Sequence, residues 1–111
     1  MNIQLDTDFL IYALSQAGAE RNRLRRAAES EVVLQISAVA WYEFCRGPRL
    51  PEQIAVARTL FAADGVVPFD ETLAAHAAEI FRRLGSPRRR AADIAIGATA
   101  AATGAVLLTR N

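Results

Sequence analysis

A chain of 111 residues, 52% hydrophobic and 23% charged, can bury one core and needs neither disulfides nor a structural metal to stand. All 13 basic residues are arginine, and His76 and Cys45 are the single histidine and cysteine, which excludes a P-loop, a Schiff-base lysine, a disulfide framework and zinc sites built from several imidazoles or thiolates. The net charge of +1 excludes bulk attraction to a polyanion, so any nucleic-acid contact must rest on local arginines.

The first apolar run, around Ile3 and Leu5, stops at Asp6-Thr7-Asp8 and passes into a helix-length apolar stretch from Phe9 to Leu14. A strand feeding a helix is expected there. Glu20 to Glu31 reads as an exposed helix in which Arg21, Arg23, Arg25 and Arg26 pair with Glu20, Glu29 and Glu31. The β-branched run Val32 to Ile36 reads as a second strand, and Ser37 is placed to cap a helix from Ala38 to Arg46 that Gly47-Pro48 stops. Pro51 opens a further helix carried by Ile54, Ala57, Leu60 and Phe61, and Asp64-Gly65 turns the chain into a third strand from Val66 to Phe69. Asp70 caps a helix through Leu84, ended by Gly85, and Ser86 to Arg90 reads as a loop. Ala91 to Thr103 is a small-residue helix closed by Gly104, and Ala105 to Thr109 reads as a last, buried strand.

Four short apolar runs separated by helices predict an α/β fold in three layers, a central parallel sheet of about four strands flanked by helices. A chain that stops on a central-looking strand would leave the sheet uncovered, so residues 1–111 are expected to form a single domain lacking a C-terminal helix and strand. No apolar run approaches the roughly 18 residues of a membrane span. Asp6 and Asp8 stand where a signal peptide would carry its positive start, so a cytoplasmic protein without membrane contact is expected.

Ligands of open parallel sheets gather at the carboxyl ends of the strands and the helix starts beyond them. Asp6 and Asp8 lie at the end of the first strand, Asp93 in the first turn of the Ala91 helix, and Glu43 six residues beyond Ser37. Glu43 and Asp93 are each embedded in residues that pack inward, where an acid is costly unless paired or metal-bound. Singly, Asp6 reads as a helix cap, and Asp8 and Asp93 as first-turn acids favoured by the helix dipole. Together they repel one another unless a cation compensates, and an all-oxygen set selects Mg²⁺ or Mn²⁺. Asp6, Glu43 and Asp93 are therefore expected to converge within reach of a shared ion. Arg88, Arg89 and Arg90 precede Asp93 and are placed either to bind phosphates beside the acidic rim or to form a solvated loop. His76 reads as structural, and Trp41 and Tyr42 as core or dimer contacts.

Four stretches carry a resemblance: Leu5-Asp6-Thr7-Asp8-Phe9-Leu10-Ile11-Tyr12, Ser37-Ala38-Val39-Ala40-Trp41-Tyr42-Glu43-Phe44, Ala92-Asp93-Ile94-Ala95-Ile96-Gly97-Ala98-Thr99-Ala100 and Leu107-Leu108-Thr109-Arg110-Asn111. In this order they resemble the PIN-domain family, and within it the VapC toxins of bacterial toxin-antitoxin pairs. The resemblance implies a metal-dependent endoribonuclease in which Asp6, Glu43 and Asp93 hold one or two Mg²⁺ or Mn²⁺ ions. Thr7 and Asp8 would support the first ligand, Thr109 would lie near the rim, and Asn111 stands at or just before the place of the family's fourth acid. Arg88 to Arg90 would then meet RNA, and the implied partners are the RNA substrate, a cognate antitoxin protein and a second copy of the chain. Asp6-Thr7-Asp8 also looks like the start of a haloacid-dehalogenase-type phosphatase or a phospho-receiver domain, but those families use a lysine that this chain lacks. The non-enzymatic alternative is a weakly active or inactive PIN-like fragment serving as a protein-interaction module.

Overall fold

The computed structural model describes residues 1–110. In chain order they form β1 (Asn2–Leu5), α1 (Thr7–Ser15), α2 (Ala19–Ala28), β2 (Val33–Ser37), α3 (Ala38–Cys45), α4 (Pro51–Arg58), β3 (Val66–Val67), α5 (Glu71–Arg83), a 3₁₀ turn (Arg88–Arg90), α6 (Ala91–Thr103) and β4 (Val106–Leu108). Side chains that satisfy otherwise orphaned backbone groups set the helix ends. Asp6 caps α1 by accepting the Thr7 N–H at 2.8 Å, Ser37 caps α3 through the Ala40 N–H at 3.0 Å, and Asp70 caps α5 through the Leu73 N–H at 2.9 Å. Gly104 closes α6 at φ 66°, a left-handed turn that glycine adopts without steric penalty.

The sheet is parallel throughout, in the order β3-β2-β1-β4. Alternation along the strands divides their residues between two faces. Leu5, Leu34 and Ile36 enter the main core with Phe9, Leu10, Ala13, Leu24 and Phe44. The intervening positions are polar: Gln4 and Gln35 are register partners, 0% and 5% exposed. Gln35 Nε2 donates to Gln4 Oε1 at 2.9 Å and to Thr103 Oγ1 at 2.8 Å, while Gln4 Nε2 donates to the Ile96 carbonyl at 2.9 Å. These bonds fasten α6 to the sheet, and the helix buries the small residues Ala95, Ala98, Thr99 and Ala100. A smaller apolar cluster of Leu73, Ala77 and Ala98 joins α5 to α6.

Several expectations are corrected. The last strand is an edge strand and only part-buried, with Val106 52% exposed, because β1 occupies the centre and pairs with both β2 and β4. The third strand is confined to Val66–Val67, since Pro68 has no N–H to continue a ladder. The segment before α6 contains a 3₁₀ turn where a loop was expected. Arg21 donates to the carbonyls of Ala13 and Leu14, at 3.0 and 3.2 Å, and so satisfies the end of α1. Arg23 lies over the Phe9 ring, and among the described residues no ion pair joins the α2 arginines to Glu20, Glu29 or Glu31. Trp41 is a core contact, stacked on Phe44 at 5.6 Å and edge-on to Phe61, whereas Tyr42 and His76 are exposed. No helix of the described residues is long and apolar enough to cross a membrane.

Candidate functional site

The strand order reverses at β1: β2 and β3 lie to one side of it and β4 to the other. Open parallel sheets form a crevice at such a reversal, outside the carboxyl ends of the strands. Leu5 is in register with both Ile36 and Leu108, so β1 and β4 end level and β2 runs one residue further, and the Asp6 N–H donates to the Leu108 carbonyl at 3.0 Å before the chain turns into α1. No loop separates β2 from α3, which places Glu43 less than two turns above the strand end. The first turn of α6, packed beside α3, supplies Asp93. A cleft of about 270 Å³ results, lined by Asp6, Thr7, Asp8, Ile11, Glu43, Arg46 and Asp93.

Its interior is wired through Thr7. That buried hydroxyl donates to Glu43 Oε1 at 2.8 Å, and Glu43 Oε2 stands 3.8 Å from the Arg46 guanidinium. Burial holds the half-buried Asp6 carboxyl above its ordinary pKa, and the charges of Asp93, Asp8 and Glu43 push it further in that direction, against the Thr7 N–H that favours the anion. Asp8 and Asp93 are exposed. For Asp93 this corrects the expectation of an inward-facing acid: Ile94, Ala95 and Ile96 take the buried positions, and the carboxylate stands at the cleft wall.

Four carboxylates, no imidazole and no thiolate make a donor set suited to Mg²⁺ or Mn²⁺, and a cation there would offset both the burial of Asp6 and the smaller repulsion from Asp93, Asp8 and Glu43. Among the described residues, no three acidic, histidine or cysteine side chains are gathered closely enough to enclose an ion. The shared cleft is thus formed and the tight convergence is not, in keeping with mutual repulsion and with Glu43 being drawn to Thr7 and Arg46. Thr109 is half-buried and follows Leu108 at the same strand end, while Asn111 lies outside the described residues. Arg88, Arg89 and Arg90 are exposed, and none of them lines the cleft. Arg46 does, a placement absent from the sequence reading although its i,i+3 spacing from Glu43 on one helix was visible. A separate apolar groove of about 400 Å³ shares Ile11 with the cleft and continues past Leu14, Phe44, Pro48 and Val56.

Comparison with known proteins agrees with this architecture. The PIN domain family model matches residues 3–111. The chain belongs to the PIN domain family. Domains of this family are generally nucleases that use divalent metals, which fits the all-oxygen cleft at the reversal point of the sheet. The fold is also that of a chain in the crystal structure of VapBC2 from Rickettsia felis bound to a DNA fragment from their promoter. That match has a TM-score of 0.74 and 18% identity, and covers 100% of this chain and 88% of that one. No curated protein matches the PIN-domain chain in sequence.

Proposed function

We propose that this PIN domain is a metal-dependent endoribonuclease and the toxin of a VapC-type toxin-antitoxin pair. The observation that carries the reading is the four-carboxylate cleft at the carboxyl end of β1 in a PIN fold. Asp6, Glu43 and Asp93 would hold one or two Mg²⁺ or Mn²⁺ ions. Thr7 anchors one oxygen of Glu43 and leaves Oε2 for the ion, and the exposed Asp8 adds negative charge at the mouth. Bound there, the ion would activate a water for in-line attack and stabilise the leaving oxygen of a phosphodiester. The protein groups fix positions: Asp6 is held by its own capping bond, and Asp93 by the α6 tether three residues further on.

An antitoxin protein as partner is supported by the likeness to a chain of the VapBC2 complex. A second copy of the chain as partner, Arg88 to Arg90 as outer RNA contacts, and a cytoplasmic location belong to the same reading. Thr109 would support the rim from the end of β4.

The reading is tested by incubating the folded chain with a single-stranded RNA in Mg²⁺ or Mn²⁺. Endonucleolytic products are expected that EDTA abolishes, and Asp93→Asn should slow cleavage more than about 100-fold, since even partners of metal ligands are worth 10- to 100-fold. Asp93 is exposed and makes no capping bond, so the fold should survive the change. Absence of cleavage by the folded wild type at any metal concentration would leave the interaction-module reading standing.

A further inference from the structure

An acidic cleft repels the polyanion it is meant to cut, so a wall of the cleft must offer a cation to the phosphate. Of the residues lining the cleft, four are acids, one is Thr7, one is Ile11 and one is Arg46. Other arginines near the core are already committed. Arg49 donates to the Phe44 carbonyl at 2.7 Å, Arg58 to the carbonyls of Phe61, Ala62 and Ala63, and Arg21 to those of Ala13 and Leu14. Arg46 is different. Its side chain is 58% exposed, its guanidinium lies 5.2 Å from the centre of the exposed Tyr42 ring, and its approach to Glu43 Oε2, at 3.8 Å, is too long for a strong hydrogen bond. An exposed pair of this kind contributes little stability and is readily exchanged. The ring beneath it orients a planar fork whose donors match a phosphate bidentately.

We propose that Arg46 is the phosphate-gripping residue of the cleft, binding the RNA backbone beside the acids. The inference rests on the nuclease reading and adds a substrate contact to it. When Glu43 turns to a cation, Arg46 loses its loose partner and presents a free guanidinium one helical turn from that ligand. Metal binding and phosphate binding then favour each other. The exposed run Arg88 to Arg90 lies outside the cleft and contributes at most along the flanking strand.

The test is fluorescence anisotropy of a labelled single-stranded RNA with the folded chain, using an Asp93→Asn background to prevent cleavage. Arg46→Gln should weaken binding roughly tenfold, as for the loss of one charge-assisted contact, and should reduce the slope of log K against log salt by about 0.7. Arg83→Gln, outside the lining of the cleft and equal in charge, should change neither. Equal effects of the two variants, no effect of Arg46→Gln, or no RNA binding by the parent protein would overturn the proposal. Mn²⁺ affinity, measured without RNA by thermal shift in the chain that keeps Asp93, should be retained in Arg46→Gln; a parallel loss would mean that Arg46 only positions Glu43, and the assignment would be wrong. Failure of the nuclease reading is separable: a chain that never cleaves RNA but still loses binding and salt slope on Arg46→Gln keeps the Arg46 assignment and forfeits the catalytic one.

Discussion

In EDTA at neutral pH, Asp6→Asn is expected to melt at a higher temperature than the wild type, and in Mg²⁺ or Mn²⁺ it is expected to cleave RNA more than about 100-fold more slowly. Asparagine keeps the oxygen that accepts the Thr7 N–H and is as good a helix cap as aspartate, so α1 retains its start. What it removes is a half-buried anion disfavoured by burial and by Asp93, Asp8 and Glu43. The pH dependence follows from the raised folded-state pKa. Between the unfolded value of 3.8 and that raised value, the folded wild type binds more protons than the unfolded chain, so its stability falls as pH rises. The advantage of Asp6→Asn is therefore full above the folded pKa and disappears as pH falls below 3.8. Saturating Mg²⁺ or Mn²⁺ should reverse the order, because a ligand bound only by the native wild type stabilises it by mass action. Thermal melts with and without metal across pH measure all three effects, and a wild type more stable than Asp6→Asn in EDTA at neutral pH would contradict the electrostatic origin of the site.

The largest loss of stability is expected at Gln4, a residue that touches none of the cleft acids. Gln4→Ala removes the bond to the Ile96 carbonyl, deprives Gln35 of one acceptor and opens a void in a fully buried layer. Unsatisfied buried groups cost about 1–3 kcal/mol and a cavity adds to that, so a total near 3 kcal/mol and a melting temperature lower by about 10 °C are expected. The tether of α6 loosens with it, so metal-induced stabilisation should shrink although every proposed ligand is still present. The double variant Gln4→Leu with Gln35→Leu should cost clearly less than the sum of the two single Leu variants, since it replaces both amides together. Additive costs would mean that the two amides act independently and that the network does not organise α6.

The helix boundaries were legible in the sequence because they depend on local chemistry. Ser37, Asp70 and Gly104 act within a turn of their own positions, and the structure places each where its residue type implied. The grouping of Asp6, Asp8, Glu43 and Asp93 was legible too, since strand ends and helix starts meet at one edge of a parallel sheet. What was hidden depends on partners distant in the chain. Gln4 and Gln35 look like ordinary polar residues of half-exposed strands until register places them opposite each other beneath α6. The apolar run Val106 to Leu108 resembles a central strand in composition, and only pairing order reveals an edge. Arg21 belongs in sequence to an exposed, charge-rich set, and its commitment to the end of α1 arises from how two consecutive helices pack. Arg46 and the run Arg88 to Arg90 show the same limit: charge density along the chain does not disclose which cation faces the cleft.

The most direct measurement is an anomalous difference map from a crystal of the protein soaked in Mn²⁺. A peak is expected in the cleft, ligated by carboxylate oxygens of Asp6, Glu43 and Asp93, with Thr7 still bonded to Glu43, and the same soak of an Asp6→Asn crystal should lose it. Manganese found on other surface carboxylates with the cleft empty, or a cleft peak that persists unchanged in Asp6→Asn, would contradict the assignment of these acids as the metal centre.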